Sequence, residues 1–395
     1  MDKISEILTR GVANVIPNKE ALEKVLRTDK KLNVYLGIDP TATKIHLGHA
    51  VSLRKLQKFA DLGHHVTFLI GDFTALIGDT SDKDTERPML TAEEIKENFQ
   101  TYKEQAQKVL DFSKIEVRFN SEWLSKLTFT EIVKLTQSFS FGDFASRELI
   151  RKRLMEGKKV GLHEGLYPVM QGYDSYHLDT DVQIGGTDQT FNMQAGRTLQ
   201  KDLRNKESFV ITTEFLTGTD GRKMSKSWGN AIWLNDDSSN MYGKIMSIKD
   251  DLIVEYFTLA TAIPMEEVEK VKQELESGTN PIELKKRLAY EIVRELNSQD
   301  EAAEAQRSFE QTVQKGELPE NIPTFEMDKN DSIEISEFLV KAGLSTSKSE
   351  AKRLVEQGGV QFNSETITNP GHVIIPEDSA VVKAGKRNYV RIKVR

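Results

Sequence analysis

The sequence predicts an α/β chain: a parallel-sheet domain with a helical insertion, then a helical segment, then a small α+β module. Three observations predict it. Short apolar runs bounded by turn residues alternate with helical periodicity early in the chain, a charged helical pattern fills residues 240–314, and residues 332–395 change both their period and the sign of their charge.

Leu32 to Ile38 is a short apolar run that ends at Asp39-Pro40, so it reads as a buried strand opening into a loop. Val51, Leu53, Leu56, Phe59 and Ala60 then recur at helical spacing between Gly48 and Leu62, with Gly63 as the stop. His65 to Gly71 is a second buried strand, which completes a βαβ unit and hence a parallel sheet. Residues 91 to 154 read as mostly helical through Ile95, Phe99, Tyr102 and Ala106, an inserted layer. Val182 to Gly186 is a further strand, and residues 218–230 form a turn-rich segment.

Leu284, Leu288, Ile292 and Leu296 mark one face of a helix over 281–296. The polar stretch 316–331, with two prolines, reads as a linker. Beyond it, Ile335, Phe338, Leu339, Ala351, Leu354 and Val355 predict two short helices, followed by strands. The expected boundaries are 1–230, with the insertion at about 91–160, then 231–325, then 332–395. The last segment holds ten Lys and Arg against seven Asp and Glu, which points to RNA contact on a chain whose net charge is -7.

Composition removes several classes of function. The 395 residues suit two or three domains and contain no cysteine, so disulfides, thiolate zinc sites and cysteine nucleophiles are excluded. No apolar run is long enough to span a bilayer, and MDKISEILTR lacks the apolar core of a signal peptide, so a cytoplasmic protein is expected. The Gly-Lys pairs at 157, 243 and 385 are not followed by Ser or Thr, which excludes a P-loop.

Two constellations carry chemistry. His46-Leu47-Gly48-His49 places two imidazoles three apart at a helix start, where free N–H groups and the helix dipole favour a polyanion such as a triphosphate. By themselves the histidines suit a cap or a metal pair equally well. Lys223-Met224-Ser225-Lys226-Ser227 follows Gly218, Asp220 and Gly221, and such a loop is able to close over a departing pyrophosphate. A solvated basic loop is the plain alternative.

In this order and context the pair resembles the HIGH and KMSKS signatures of class I aminoacyl-tRNA synthetases, and nearly the whole chain resembles the bacterial-type tyrosyl enzymes. The resemblance implies a Rossmann-like catalytic domain, an α-helical anticodon-binding domain and a small RNA-binding domain. It implies catalysis by His46, His49, Lys223, Lys226 and Lys83. Tyr35 and Asp174 would bind the phenolic hydroxyl of L-tyrosine, Asp79, Tyr167 and Gln171 its ammonium, and Gln189 its reacting carboxylate or the α-phosphate region. ATP, with Mg2+, would meet Asp39, Thr41, Gly48, Gly186, Asp188, Met224 and Ser225. Ser347, Lys348, Lys352 and Arg353 would meet the phosphates of tRNA(Tyr), and no protein metal site is expected. A homodimer is implied, with Phe139, Phe141 and Phe144 as interface or core aromatics.

Residue spacing agrees on one point: positions 167, 171 and 174 fall on one helix face. Thr187 departs from the Ser of many relatives, and Trp228-Gly229-Asn230 also suits a tryptophanyl enzyme, the first alternative. Tyr35 speaks against it, since an indole offers no oxygen for its hydroxyl. A non-catalytic RNA-binding protein and a small-molecule adenylyltransferase are further rivals; the intact motifs argue against the first and the C-terminal domains against the second.

Overall fold

The computed structural model describes residues 2–41, 43–78, 91–314, 322–329, 331–385 and 388–395. It divides into two compact units, Met1–Asp236 with Ser247–Asn297, and Asp237–Met246 with Ser298–Arg395.

The first unit is built on a six-stranded sheet. Its strands are β1 (Val12–Ile16), β2 (Asn33–Ile38), β3 (His65–Ile70), β4 (Ile115–Phe119), β5 (Val182–Gly186) and β6 (Phe209–Thr213), in the spatial order β1-β6-β5-β2-β3-β4. All neighbours are parallel except β1, which pairs antiparallel with β6. The expected strands at 32–38, 65–71 and 182–186 are present. Residues 91–154 are mostly helical as expected, and β4, whose alternation is Ile115-Glu116-Val117-Arg118-Phe119, adds to that reading a strand beside β3.

After β2 the chain builds outward through β3 and β4, then returns to lay β5 and β6 on the other side. Strand order therefore reverses between β2 and β5, and the crevice beyond their carboxyl ends is where open parallel sheets bind ligands. The Leu47–Asp61 helix covers this junction because Leu47, Ala50, Val51, Leu53, Leu56, Phe59 and Ala60 all fall on its buried side. It stops at Gly63, whose φ of +75° few other residues adopt.

The Leu162–His177 and Thr190–Arg204 helices pack closely, since a Cβ on Gly172 would lie 3.1 Å from the Ala195 backbone. The turn before Leu162 is fixed by a fully buried bidentate pair. Arg153 donates to both Glu164 oxygens at 2.7 and 3.0 Å, and Glu164 also accepts from Gly161 N–H at 2.8 Å.

The helical stretch expected at 231–325 is shared between the units. Helices Ile253–Ala260, Met265–Glu276 and Pro281–Leu296 belong to the first, Ser238–Met246 and Gln299–Phe309 to the second. In the second unit a five-stranded sheet runs Glu365–Ile367, Val360–Phe362, Val381–Ala384, Asn388–Val394, Thr324–Met327. The helices Ile335–Lys341 and Lys348–Glu356 fall where two were predicted, and Phe338, Leu339, Ala351 and Val355 form a core with the sheet. Thr324–Met327 lies in the stretch read as a linker. It pairs in parallel with Asn388–Val394, so the sheet takes in residues ahead of Ser332.

Candidate active site

A cavity of about 650 Å³ opens at the carboxyl ends of β2 and β5. Sixteen of the residues singled out in the sequence line it: Tyr35, Asp39, Thr41, His46, Gly48 and His49 from the β2 end and the helix after it, Tyr167, Gln171 and Asp174 from the Leu162–His177 helix, Gly186, Asp188 and Gln189 after β5, and Lys223 to Lys226. Asp79 and Lys83 lie outside the described residues. Ser347, Lys348, Lys352 and Arg353 belong to the second unit.

One end of the cavity is set against an apolar cluster of Tyr35, Leu69, Trp123 and Leu124. Tyr35 and Gln183 are register partners on β2 and β5, and the Tyr35 hydroxyl donates to Gln183 Oε1 at 3.1 Å. Burial, and then the charge of Asp174, pushes the Tyr35 phenol well above its usual range, so it remains a donor. Asp174 is 2% exposed, and burial raises its carboxyl to about 8. Two hydrogen bonds oppose that shift: Trp123 Nε1 donates to Oδ1 at 2.7 Å and Asn120 Nδ2 to Oδ2 at 3.1 Å. Trp123 is held in turn by stacking on His177, with ring centroids 4.4 Å apart.

Sequence reasoning missed Asn120 and Gln183, which line the cavity, and Trp123, which holds Asp174 from behind it. Asn120 and Trp123 follow β4, the strand read as helix, and an apolar strand followed by Asn-Ser-Glu-Trp was the available signal. Asn120 is wholly buried and spends its amide completely, accepting from Phe73 N–H at 2.9 Å and donating to Thr74 Oγ1 and Asp174.

In the middle, Tyr167 donates to Asp39 Oδ2 and Thr74 to Asp39 Oδ1, both at 2.8 Å. Gly71 makes room for this carboxylate, since a Cβ there would lie on top of Asp39 Oδ1. Beyond β5, Gly186 has the same relation to Asp188, whose Oδ1 would be 2.5 Å from an added Cβ.

The opposite end is polar. His46 and His49 stack with centroids 3.8 Å apart, and His46 N–H donates to His49 Nδ1 at 3.3 Å. Burial, with Lys223 nearby, lowers His49 to about 4; burial, His49 and Lys223 lower His46 to about 2. Near pH 7 these causes favour the neutral form of both rings, which then present N–H dipoles. His46 Nδ1 is buried with no hydrogen-bond partner among the described residues. Gly48 keeps the approach open, because a Cβ would lie 3.0 Å from the His46 ring.

The segment after the Lys223–Ser227 loop is tied to the histidine turn: Leu47 N–H donates to Ile232 O and Leu234 N–H to Ile45 O, both at 2.9 Å. Lys223 Nζ lies 3.4 Å from the Phe215 ring centroid and 4.0 Å from Asp188 Oδ2. No group of three or more His, Asp or Glu side chains arranged for a metal occurs among the described residues.

In the second unit, Lys348, Lys352 and Arg353 are exposed on one short helix. Lys348 Nζ lies 3.7 Å from Glu337, and the Ser347 hydroxyl is the helix N-cap, accepting from Glu350 N–H at 3.2 Å. Among the described residues no helix is long and apolar enough to cross a membrane.

Residues 27–314 match the family described as tRNA synthetases class I (W and Y), and residues 313–392 the tyrosine–tRNA ligase SYY-like C-terminal domain. The chain is 45% identical over 390 residues to the tyrosine–tRNA ligase of Dehalococcoides mccartyi, covering 98% of each chain. It is 44% identical over 389 residues to that of Thermotoga maritima, covering 98% of this chain and 96% of the other. Among solved structures, a C-terminally truncated mitochondrial tyrosyl-tRNA synthetase of Aspergillus nidulans matches with a TM-score of 0.66 at 23% identity. It covers 78% of this chain and 93% of that one, and shares the fold.

Proposed function

Because the chain belongs to the class I tRNA synthetases of the tryptophan and tyrosine group, we propose that it is the tyrosine member: it activates L-tyrosine with ATP and transfers it to tRNA(Tyr). The observation that carries this choice is the Tyr35 end of the cavity. Tyr35 and Asp174 there present a hydroxyl and a carboxyl inside an apolar cluster that includes Leu69 and Trp123. A phenol offers a hydroxyl to both, whereas an indole or a phenyl ring brings no oxygen to this end of the cavity.

In the first step a tyrosine carboxylate oxygen attacks the α-phosphorus of ATP, and the bond to the bridging oxygen breaks with release of pyrophosphate. The carboxylate is already ionised, so no general base is needed. Rate comes from alignment and from stabilising charge on the phosphates. His46 and His49 donate N–H groups there, and Lys223 and Lys226 bring the positive charge. Asp188 and Gly186 receive the ribose, and Gln189 the reacting carboxylate. Thr41, Met224 and Ser225 line the nucleotide side, while Tyr167 and Gln171, with Asp39 behind Tyr167, face the ammonium. Mg2+ enters with the ATP phosphates. In the second step a hydroxyl of the terminal tRNA ribose attacks the acyl carbon and AMP leaves.

Lys348, Lys352 and Arg353 supply cations for tRNA phosphates, which position the RNA without reading its sequence. A cytoplasmic homodimer is part of the same reading. The exposed Phe129, Phe141, Met155 and Leu162, at 81%, 73%, 82% and 87%, give segment 129–162 the apolar surface that a second copy would cover. ATP–pyrophosphate exchange without tRNA tests the core claim. Exchange is expected with tyrosine, and exchange with tryptophan instead would overturn it.

A further inference from the structure

We infer that Asn230 is the positioning residue of the Lys223–Ser227 loop: its side-chain amide sets the backbone on both sides of Met224 and so aims Lys223 and Lys226 into the cavity. The inference rests on the function proposed above. Asn230 is 2% exposed and lies outside the five-residue motif. Its Oδ1 accepts from Ser225 N–H at 2.9 Å, and its Nδ2 donates to Lys223 O at 3.1 Å and to Asp220 Oδ1 at 2.7 Å. One amide thus joins the entry of the loop, its centre and its exit.

The surroundings are shaped to it. A Cβ on Gly218 would lie 2.4 Å from Asn230 Nδ2, so only glycine fits there. Asn230 O also accepts from Thr219 N–H at 3.2 Å, and Asp220 is held well below the usual carboxylate range, at about 2, first of all by the Asn230 amide. Met224 is 3% exposed and its N–H donates to Leu216 O at 2.9 Å. The peptide units on either side of it are therefore fixed by Asn230, and its own N–H by the strand-like contact with Leu216. The pattern requires a group that both accepts and donates: aspartate has the size but turns two donations into repulsion, and alanine removes all three bonds.

The test is Asn230→Asp in the full chain, read by ATP–pyrophosphate exchange, equilibrium tyrosine binding and thermal melting. The expected result is a fall in kcat of about tenfold or more, as for a displaced catalytic group, with the tyrosine dissociation constant within about twofold of the parent. An unchanged kcat overturns the inference, as does a loss of tyrosine affinity that matches the loss of kcat, which would mark a general structural defect. If Asn230→Asp does not fold, Asp220→Ala replaces it. That change deletes the Asn230 bond from a more exposed partner together with the two bonds Asp220 accepts from Arg222, so Arg222→Ala is its control; Asp220→Ala must still lower kcat, by about threefold and further than Arg222→Ala does, without changing tyrosine binding. A parent chain that shows no tyrosine-dependent exchange would overturn the proposed function; an active parent with unaffected variants overturns only the role of Asn230.

Discussion

Replacing Asp174 by asparagine should collapse the preference for tyrosine over phenylalanine while leaving the use of phenylalanine nearly unchanged. The carboxyl is 2% exposed and is met by one indole N–H at 2.7 Å and one amide N–H at 3.1 Å. It also lines the cavity, within reach of an entering ring. A hydrogen bond from a phenol to an ionised, desolvated carboxylate contributes about 1.5–3 kcal/mol, which converts to about 10- to 150-fold in kcat/KM for tyrosine. The assay is ATP–pyrophosphate exchange with each amino acid, with a melting curve to show that the variant folds. A variant that keeps the parental ratio of tyrosine to phenylalanine use would refute the reasoning.

The same carboxyl makes tyrosine binding depend on pH. Burial raises Asp174 to about 8 in the ligand-free chain, and a phenol donor favours the ionised form. Tyrosine affinity should therefore rise by nearly tenfold per pH unit between pH 6 and about 8, then level off. Stability runs the opposite way. A carboxyl raised above its unfolded value favours the fold at low pH, and that contribution is lost as pH climbs through about 8. Asp174→Asn should flatten both profiles.

Two further outcomes follow from the geometry. His49→Ala should lower the exchange rate by about 10- to 100-fold with little change in tyrosine affinity, and the parental rate should show no histidine titration between pH 6 and 8, because burial holds His49 at about 4 and His46 at about 2; a rate that rises as pH falls through 6.5 would contradict this. Arg153→Met leaves the Glu164 carboxylate buried and uncompensated, which should cost about 3–5 kcal/mol by urea unfolding, whereas a loss under 1 kcal/mol would show that the pair is not closed to water.

The catalytic end was legible because each of its parts is contiguous in sequence. His46 to His49 and Lys223 to Ser227 are short runs whose chemistry can be read locally, and the spacing of Tyr167, Gln171 and Asp174 is enough to place them on one helix face. The partners of Asp174 were not legible. Asn120 and Trp123 approach it from 54 and 51 positions away, after a strand of five residues that a helical reading had absorbed. Nor does sequence reveal protonation. The sequence leaves the charge of the histidines open, and it is their burial, with Lys223 nearby, that favours the neutral form. Asn230 was legible only as part of the Trp228-Gly229-Asn230 run, since its two bonds to backbone and one to Asp220 leave no trace in the sequence.

The reversal of strand order between β2 and β5 has a consequence for how such a molecule changes over generations. On the function proposed above, Tyr35, Gln183, Asn120 and Asp174 judge the incoming side chain at one end of the cavity, and the histidine turn and the lysine loop handle phosphate at the other. A lineage is free to try new side chains at positions 35, 120, 174 and 183 while inheriting an intact means of making adenylates. On that reading each trial should alter which amino acid enters and leave the reaction itself alone. The crevice thus keeps the reading of a letter apart from the energy that drives its use, so the letter can be revised in small, separately testable steps.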